Sequence, residues 1–235
     1  RSNDDSYSMI VSGTGNVTQQ GAGNLTLGGS NTYSGSTSIT AGNLTLTGAS
    51  LDLAGSITGS GNLSLQPSAS TYSIGIGSTL GNQTISRSML NNVNITGTFK
   101  IGRSDSTQNI TYADTQTLSW KAGSTSFVGG SGSIFLTGPI SVNGSIAASS
   151  TTGITLGSSI SSNSTQTYTG PVTLASNTAL TGTNISTSST VSGAGYNLNV
   201  TGNYAVGGAV TNLGNLSVSG TSDLGAVSYT HLRAH

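Results

Sequence analysis

The chain has 235 residues, 35 of them Gly, no Cys, and only 5% charged residues with a net charge of zero. These values exclude disulfides and thiolate metal sites, and they argue against nucleic acid as a partner, because nothing here neutralises a row of phosphates. No run approaches the ~20 apolar residues of a spanning helix. The 33% of residues that are hydrophobic recur at regular intervals, which argues against a disordered linker.

Residues 1–20 carry Arg1, Asp4 and Asp5 and then SMIVSGTGNVTQQ. Gly15-Asn16-Val17-Thr18 reads as an imperfect copy of the phrase that follows, at the end of a preceding coil. The chain begins at Arg1 without an initiator Met, so it reads as a fragment with open ends, and the missing signal peptide carries no weight.

From 21 to 65 one phrase is said three times: Gly-Asn-Leu-[Thr/Ser]-Leu at 23–27, 42–46 and 61–65. The markers Asn24, Asn43 and Asn62 stand at a constant step of 19. Apolar residues alternate within each unit (Leu25/Leu27, Leu44/Leu46, Leu63/Leu65), which is a strand period. Short strands at a fixed step, with Gly/Ser/Asn turns between them, predict an all-β parallel β-helix of roughly 18–20 residues per coil. Six or so inward side chains at roughly 1.5–3 kcal/mol each do not offset about 19 ordered residues at roughly 1–2 kcal/mol each. A coil is therefore stable only when Leu25 stacks on Leu44 and Leu44 on Leu63. The asparagines are expected either to form a stacked amide ladder or simply to serve as turn residues.

The pattern G-x-G-N-L-T-L-x-G-x-N-T-Y-S-G-x-T-x-I-x-A-G-x-L at 21–44 resembles the autotransporter-associated β-strand repeat of large bacterial surface proteins. That resemblance implies a right-handed parallel β-helix in a secreted passenger region, exported through an outer-membrane transporter barrel.

Between 66 and 121 the step blurs, and Pro67 marks a loop. TLGNQTISRSMLNNVNITGTFKIGRSDSTQNI (79–110) resembles filamentous-haemagglutinin-like adhesins, in which an I-S-x-x-x-L stretch leads to a strand ending in I-G. This section holds Trp120 and half of the formal charges: Arg87, Lys100, Arg103, Asp105, Asp114 and Lys121. Arg87, Lys100, Arg103, Asp105 and Lys121 are the candidates for ligand contact, the alternative being solvated loop charges. Trp120 is expected to plug the core or a coil end.

From 122 to 226 the spacing returns. Ile134/Leu136, Ile154/Leu156 and Val172/Leu174 form one series, and Leu198/Val200 with Leu216/Val218 another. Pro139 and Pro171 follow Gly at strand starts, where a missing amide costs little. The phrases at 165–182 and 193–210 also resemble haemagglutinin-type exoproteins. Residues 1–226 thus read as one β-helix segment: regular coils over 13–65, an irregular charged section over 66–121, and regular coils over 122–226. VSYTHLRAH (227–235) holds both histidines and breaks the pattern. It resembles translated adapter sequence and is set aside as a non-native tail.

Outside that tail there is no His, and there is no Glu anywhere, so acid–base chemistry falls to aspartates. Asp52 should point outward between Leu51 and Leu53. Asp105 and Asp114 are the pair near enough in sequence for glycoside hydrolysis, and Asp105 and Arg103 either pair or stand exposed. No serine has a histidine base, no Gly-rich string ends in Lys-[Ser/Thr], and no calcium-loop string occurs. No cofactor, metal or catalytic residue is expected. Thr26, Thr45 and Ser64 stack at the repeat step, which leaves an ice-binding solenoid as one alternative and a carbohydrate-active β-helix enzyme as another. The leading expectation is a non-catalytic stalk or adhesive segment of 10–12 coils, about 4.8 Å apart, at a Gram-negative cell surface. Its expected partners are surface glycans or proteins, or copies of itself.

Overall fold

The computed structural model describes residues 4–224, so the 227–235 tail lies outside the described residues. Parallel strands stack as a β-solenoid of about 11 turns. Each coil crosses three strand positions, for example Asn43–Leu46, Ser50–Leu51 and Ile57–Gly59. We refer to these as the first, second and third stacks. The first and third stacks form a 17-stranded sheet and the second a 9-stranded sheet.

The marker phrases occupy the first stack in the register their spacing predicts: Leu25 pairs with Leu44 and Leu44 with Leu63. The amide ladder forms. Asn62 Nδ2 donates to Asn43 Oδ1 at 2.8 Å, and Asn43 Nδ2 donates to Asn24 Oδ1. Below it the Asn24 amide donates to Asp4 Oδ1 at 2.8 Å; above it the Thr98 amide donates to Asn62 Oδ1 at 2.8 Å. Two shorter ladders, Asn163 to Asn143 and Asn203 to Asn184, run in the same direction. The Gly15–Thr18 phrase does not share this column. Val17–Gln19 pairs with Thr37–Ile39 in the third stack, and the strand under Asn24–Leu27 is Asp5–Tyr7. A Gly-Asn turn opens strands at both positions, so the phrase alone does not name its stack.

The other periodic series also divide by stack. Ile134–Leu136, Ile154–Leu156 and Val172–Leu174 are second-stack strands, whereas Leu198/Val200 and Leu216/Val218 pair in the third. In four coils the third strand runs into the first strand of the next as one bent strand: Leu118–Gly130, Ile140–Ser150, Thr178–Thr187 and Leu198–Val206.

The irregular section contains an extra rung laid out of order. After Asn62–Leu65 the chain forms Ile74–Ile76, turns through 77–82, and forms Gln83–Ile85. The later strand lies lower: the second stack runs Ser50–Leu51, Gln83–Ile85, Ile74–Ile76, Ile110–Tyr112. Gln83, fully buried, fixes this order by donating Nε2 to Gly48 O and Gln66 O, each at 2.9 Å. The turn folds over the outer face, where Gly75 and Gly81 meet backbone to backbone with no room for a Cβ on either. A one-turn helix, Arg87–Asn91, follows. Ser86 caps it, its Oγ accepting from the Met89 amide at 3.1 Å, and Met89 and Leu90 are buried. The helix packs against Leu118–Gly130. Alternation alone gave no sign of it.

The core is the set of inward columns. The leucine column Leu25–Leu44–Leu63 continues as Phe99, Thr125, Ile146, Gln166, Ile185 and Tyr204. Thr125 and Gln166 in this column find partners inside the coil, as most buried polar groups do. Thr125 Oγ1 accepts from Trp120 Nε1 at 2.8 Å; Gln166 Nε2 donates to Ile160 O and Thr181 O, and its Oε1 accepts from Tyr168 at 2.8 Å. Trp120 is a core residue, edge-on to Phe99 at 5.6 Å.

Burial lifts the phenols of Tyr33, Tyr168 and Tyr204 above their ordinary range and pushes Tyr112 up to about 12, the nearby Asp114 adding to that last shift. A raised phenol contributes stability that is complete below its unfolded value of 10 and is lost as pH rises toward the folded value. The thermal midpoint should therefore hold level through neutral pH and fall steadily above pH 10. A midpoint unchanged into strong alkali would show that these rings ionise freely.

Candidate functional site

The five charged candidates fall on different parts of the coil. Arg103 and Asp105 form a bidentate pair, with Nε to Oδ1 and the second guanidinium nitrogen to Oδ2, both at 2.8 Å. The remaining nitrogen of Arg103 donates to Pro67 O at 3.1 Å and Ser68 O at 3.3 Å. Arg87 lies 3.6 Å from Asp114. Arg103's bonds to Pro67 and Ser68 and the Arg87–Asp114 pair join the inserted segment to the coil after it, while the Arg103–Asp105 pair is local. Both arginines thus tie the extra rung to the following coil.

Arg103 holds the Asp105 carboxyl below its usual range. The Gln116 amide, and then Arg87, hold Asp114 below its own. A glycosidase needs one carboxyl raised enough to carry a proton, and neither of these is. They also stand beyond opposite ends of Ile110–Tyr112. Asp52 points outward, accepting from Ser88 Oγ at 3.2 Å between the buried Leu51 and Leu53.

The two lysines project from different stacks and form no ion pair among the described residues. Lys121 stands in the third stack, in register with Asn94 and Asn143. Lys100 stands in the first stack between Ser64 and Ser126. The outward column beginning Thr26, Thr45, Ser64 thus meets a lysine next, not another hydroxyl. This column and the asparagine ladder form the floor of a groove of about 640 Å³, with Asp4 and Asp5 at one end and Lys100 at the other.

Sequence reasoning separated Lys100 from that column because 36 residues, not 19, lie between these rungs. The signal was present: Thr98-Phe99-Lys100-Ile101 repeats the alternation of Asn62-Leu63-Ser64-Leu65, an aromatic ring replacing the first leucine.

No helix among the described residues is long and apolar enough to cross a membrane. No curated protein and no solved structure matches the chain. Residues 17–46 match the family described as passenger-associated-transport-repeat. The match runs from the third-stack strand Val17–Gln19, through a full coil, to the first-stack strand Asn43–Leu46. That repeat, set in a continuous parallel solenoid, fits an autotransporter-associated β-repeat protein, with residues 17–46 a passenger-type repeat segment; a repeat of this family implies a secreted or surface-exposed protein that associates with an outer-membrane transporter.

Proposed function

We propose that the segment is a non-catalytic, adhesive stalk of a bacterial surface adhesin. The observation that carries this reading is the unbroken parallel stack. The inward columns of the central coils are packed and Arg87 and Arg103 tie down the extra rung, while the outer faces present Asn, Ser and Thr in rows. About 11 rungs at ~4.8 Å give a rod on the order of 50 Å. Its mechanism is reach plus many weak polar contacts to surface glycans or proteins, or to other copies, acting together.

The test is to display the chain on a non-adherent Gram-negative cell, fused to an outer-membrane barrel, and to count cells retained on glycan-coated and protein-coated surfaces. Retention should rise above that of the barrel alone and be unaffected by Asp105→Asn or Asp114→Asn. Retention no higher than the barrel's would sink the adhesive role. Glycan breakdown lost on either substitution would make the protein an enzyme.

A further inference from the structure

We propose that the groove on the first stack is a binding site for a short, hydroxyl-rich oligosaccharide that carries a single carboxylate, seated with that carboxylate against Lys100. The proposal rests on the adhesive reading above and gives it a location and a ligand class.

Size comes first. Four rung intervals separate Ser6 from Lys100 along one column, which at ~4.8 Å each is a trough of roughly 19 Å. The rung spacing is close to the length of one pyranose unit, so successive sugars meet successive rungs in phase. An extended peptide repeats on one face every ~6.6–6.8 Å and drifts out of phase within two rungs.

The hydrogen-bonding capacity of the floor points the same way. The ladder spends one amide hydrogen on Asn43 and Asn62 and one carbonyl lone pair on Asn24, Asn43 and Asn62. An amide has two of each, so donors and acceptors remain side by side at every rung. Sugar hydroxyls, each both donor and acceptor, satisfy such a surface.

Charge supplies the selectivity. Lys100 is a cation set in a column of serines, with no carboxylate partner among the described residues. A ligand carboxylate completes a charge-assisted pair there. Asp4 and Asp5 at the other end repel acid groups, so a chain with an acid on every sugar is disfavoured and one acid at one end is preferred. The groove has no aromatic ring for stacking, so single-site affinity should be weak, with a Kd on the order of 1 mM.

The experiment is an NMR titration of the full chain with sialyllactose and with lactose. Sialyllactose should shift the side-chain amides of Asn24, Asn43 and Asn62 and the Lys100 resonances, bind about tenfold tighter than lactose, and weaken as salt is added. Lys100→Ala should reduce sialyllactose to the level of lactose. Lys121→Ala, which removes the unpaired lysine of the third stack, should change nothing. The absence of shifts with sialyllactose well above that Kd, shifts mapping to another stack, or equal losses from both lysine variants would each overturn the proposal. Retention of displayed cells together with any of these would overturn the groove while leaving the adhesive stalk standing. Groove binding without retention would do the reverse.

Discussion

Replacing Gly202 with Ala should destabilise the C-terminal coils by about 3–5 kcal/mol, in the range reserved for severe substitutions. Gly202 bends the strand Leu198–Val206 from the third stack into the first at φ +129°. A side chain in that backbone conformation costs roughly 1–3 kcal/mol by itself. The added Cβ would also overlap the carbonyl oxygen of Gly182, the residue directly beneath it in the stack. Neither neighbour is a flexible side chain tip, so relief means separating two rungs. In a one-dimensional stack the damage stays near the opened interface. Amides from 198 onward should lose protection from hydrogen exchange while those of 43–65 keep theirs. Two other substitutions bracket the effect. Gly195→Ala, at φ +87° with open space around it, should cost about 1 kcal/mol. Gly153→Ala, with its nearest contact at 3.6 Å, should fall within about 0.5 kcal/mol of the parent. Equal melting of all three variants would mean that the close approach of rungs at Gly202 does not matter.

Trp120→Ala should cost about 3–5 kcal/mol as well, for a different reason. The indole lies in the core between Phe99 and Phe127. Truncation leaves a cavity and strips Thr125 Oγ1 of its donor, adding roughly 1–3 kcal/mol for an unpaired buried hydroxyl. Trp120→Phe should recover much of the packing but not the hydrogen bond. This is the sole tryptophan of the chain, so its fluorescence in the parent reports on the same place. Emission should shift to the red together with the main thermal transition. A shift well before it would show that this coil opens separately.

The regular coils were legible because their inward residues are all apolar and their step is constant, as at Leu25, Leu44 and Leu63. The pattern faded where the same column takes Thr125 and Gln166, whose polarity is satisfied only by Trp120, Tyr168 and backbone carbonyls brought from elsewhere in the coil. Alternation also says which residues face inward but not which stack a strand joins, so the phrase at Gly15–Thr18 looked like a copy of the marker and lies in a different column. The charged section was visible as a cluster, yet closeness in sequence is a poor guide to closeness in space when each coil has three sides. Arg87 and Arg103 are clips, Lys121 belongs to the third stack, and only Lys100 reaches the groove. The order of the extra rung was hidden for a similar reason. Ile74-Gly75-Ile76 and Gln83-Thr84-Ile85 both read as second-stack strands, and what sets one beneath the other is the reach of the Gln83 amide to Gly48 and Gln66.

That reversed order bears on how the rod can be assembled. A solenoid grows like a zipper, each finished rung serving as the template for the next. When growth comes from the amino-terminal side, the slot above Ser50–Leu51 belongs to Gln83–Ile85, but the strand that arrives first is Ile74–Ile76. When it comes from the carboxy-terminal side, the slot against Ile110–Tyr112 belongs to Ile74–Ile76, and Gln83–Ile85 arrives first. From either direction the zipper meets a tooth out of sequence. The two strands must be seated as a pair, so on this side of the rod residues 66–92 act as a clasp, while the other two sides run straight on beside it, Leu63 against Phe99 and Ile57 against Val93.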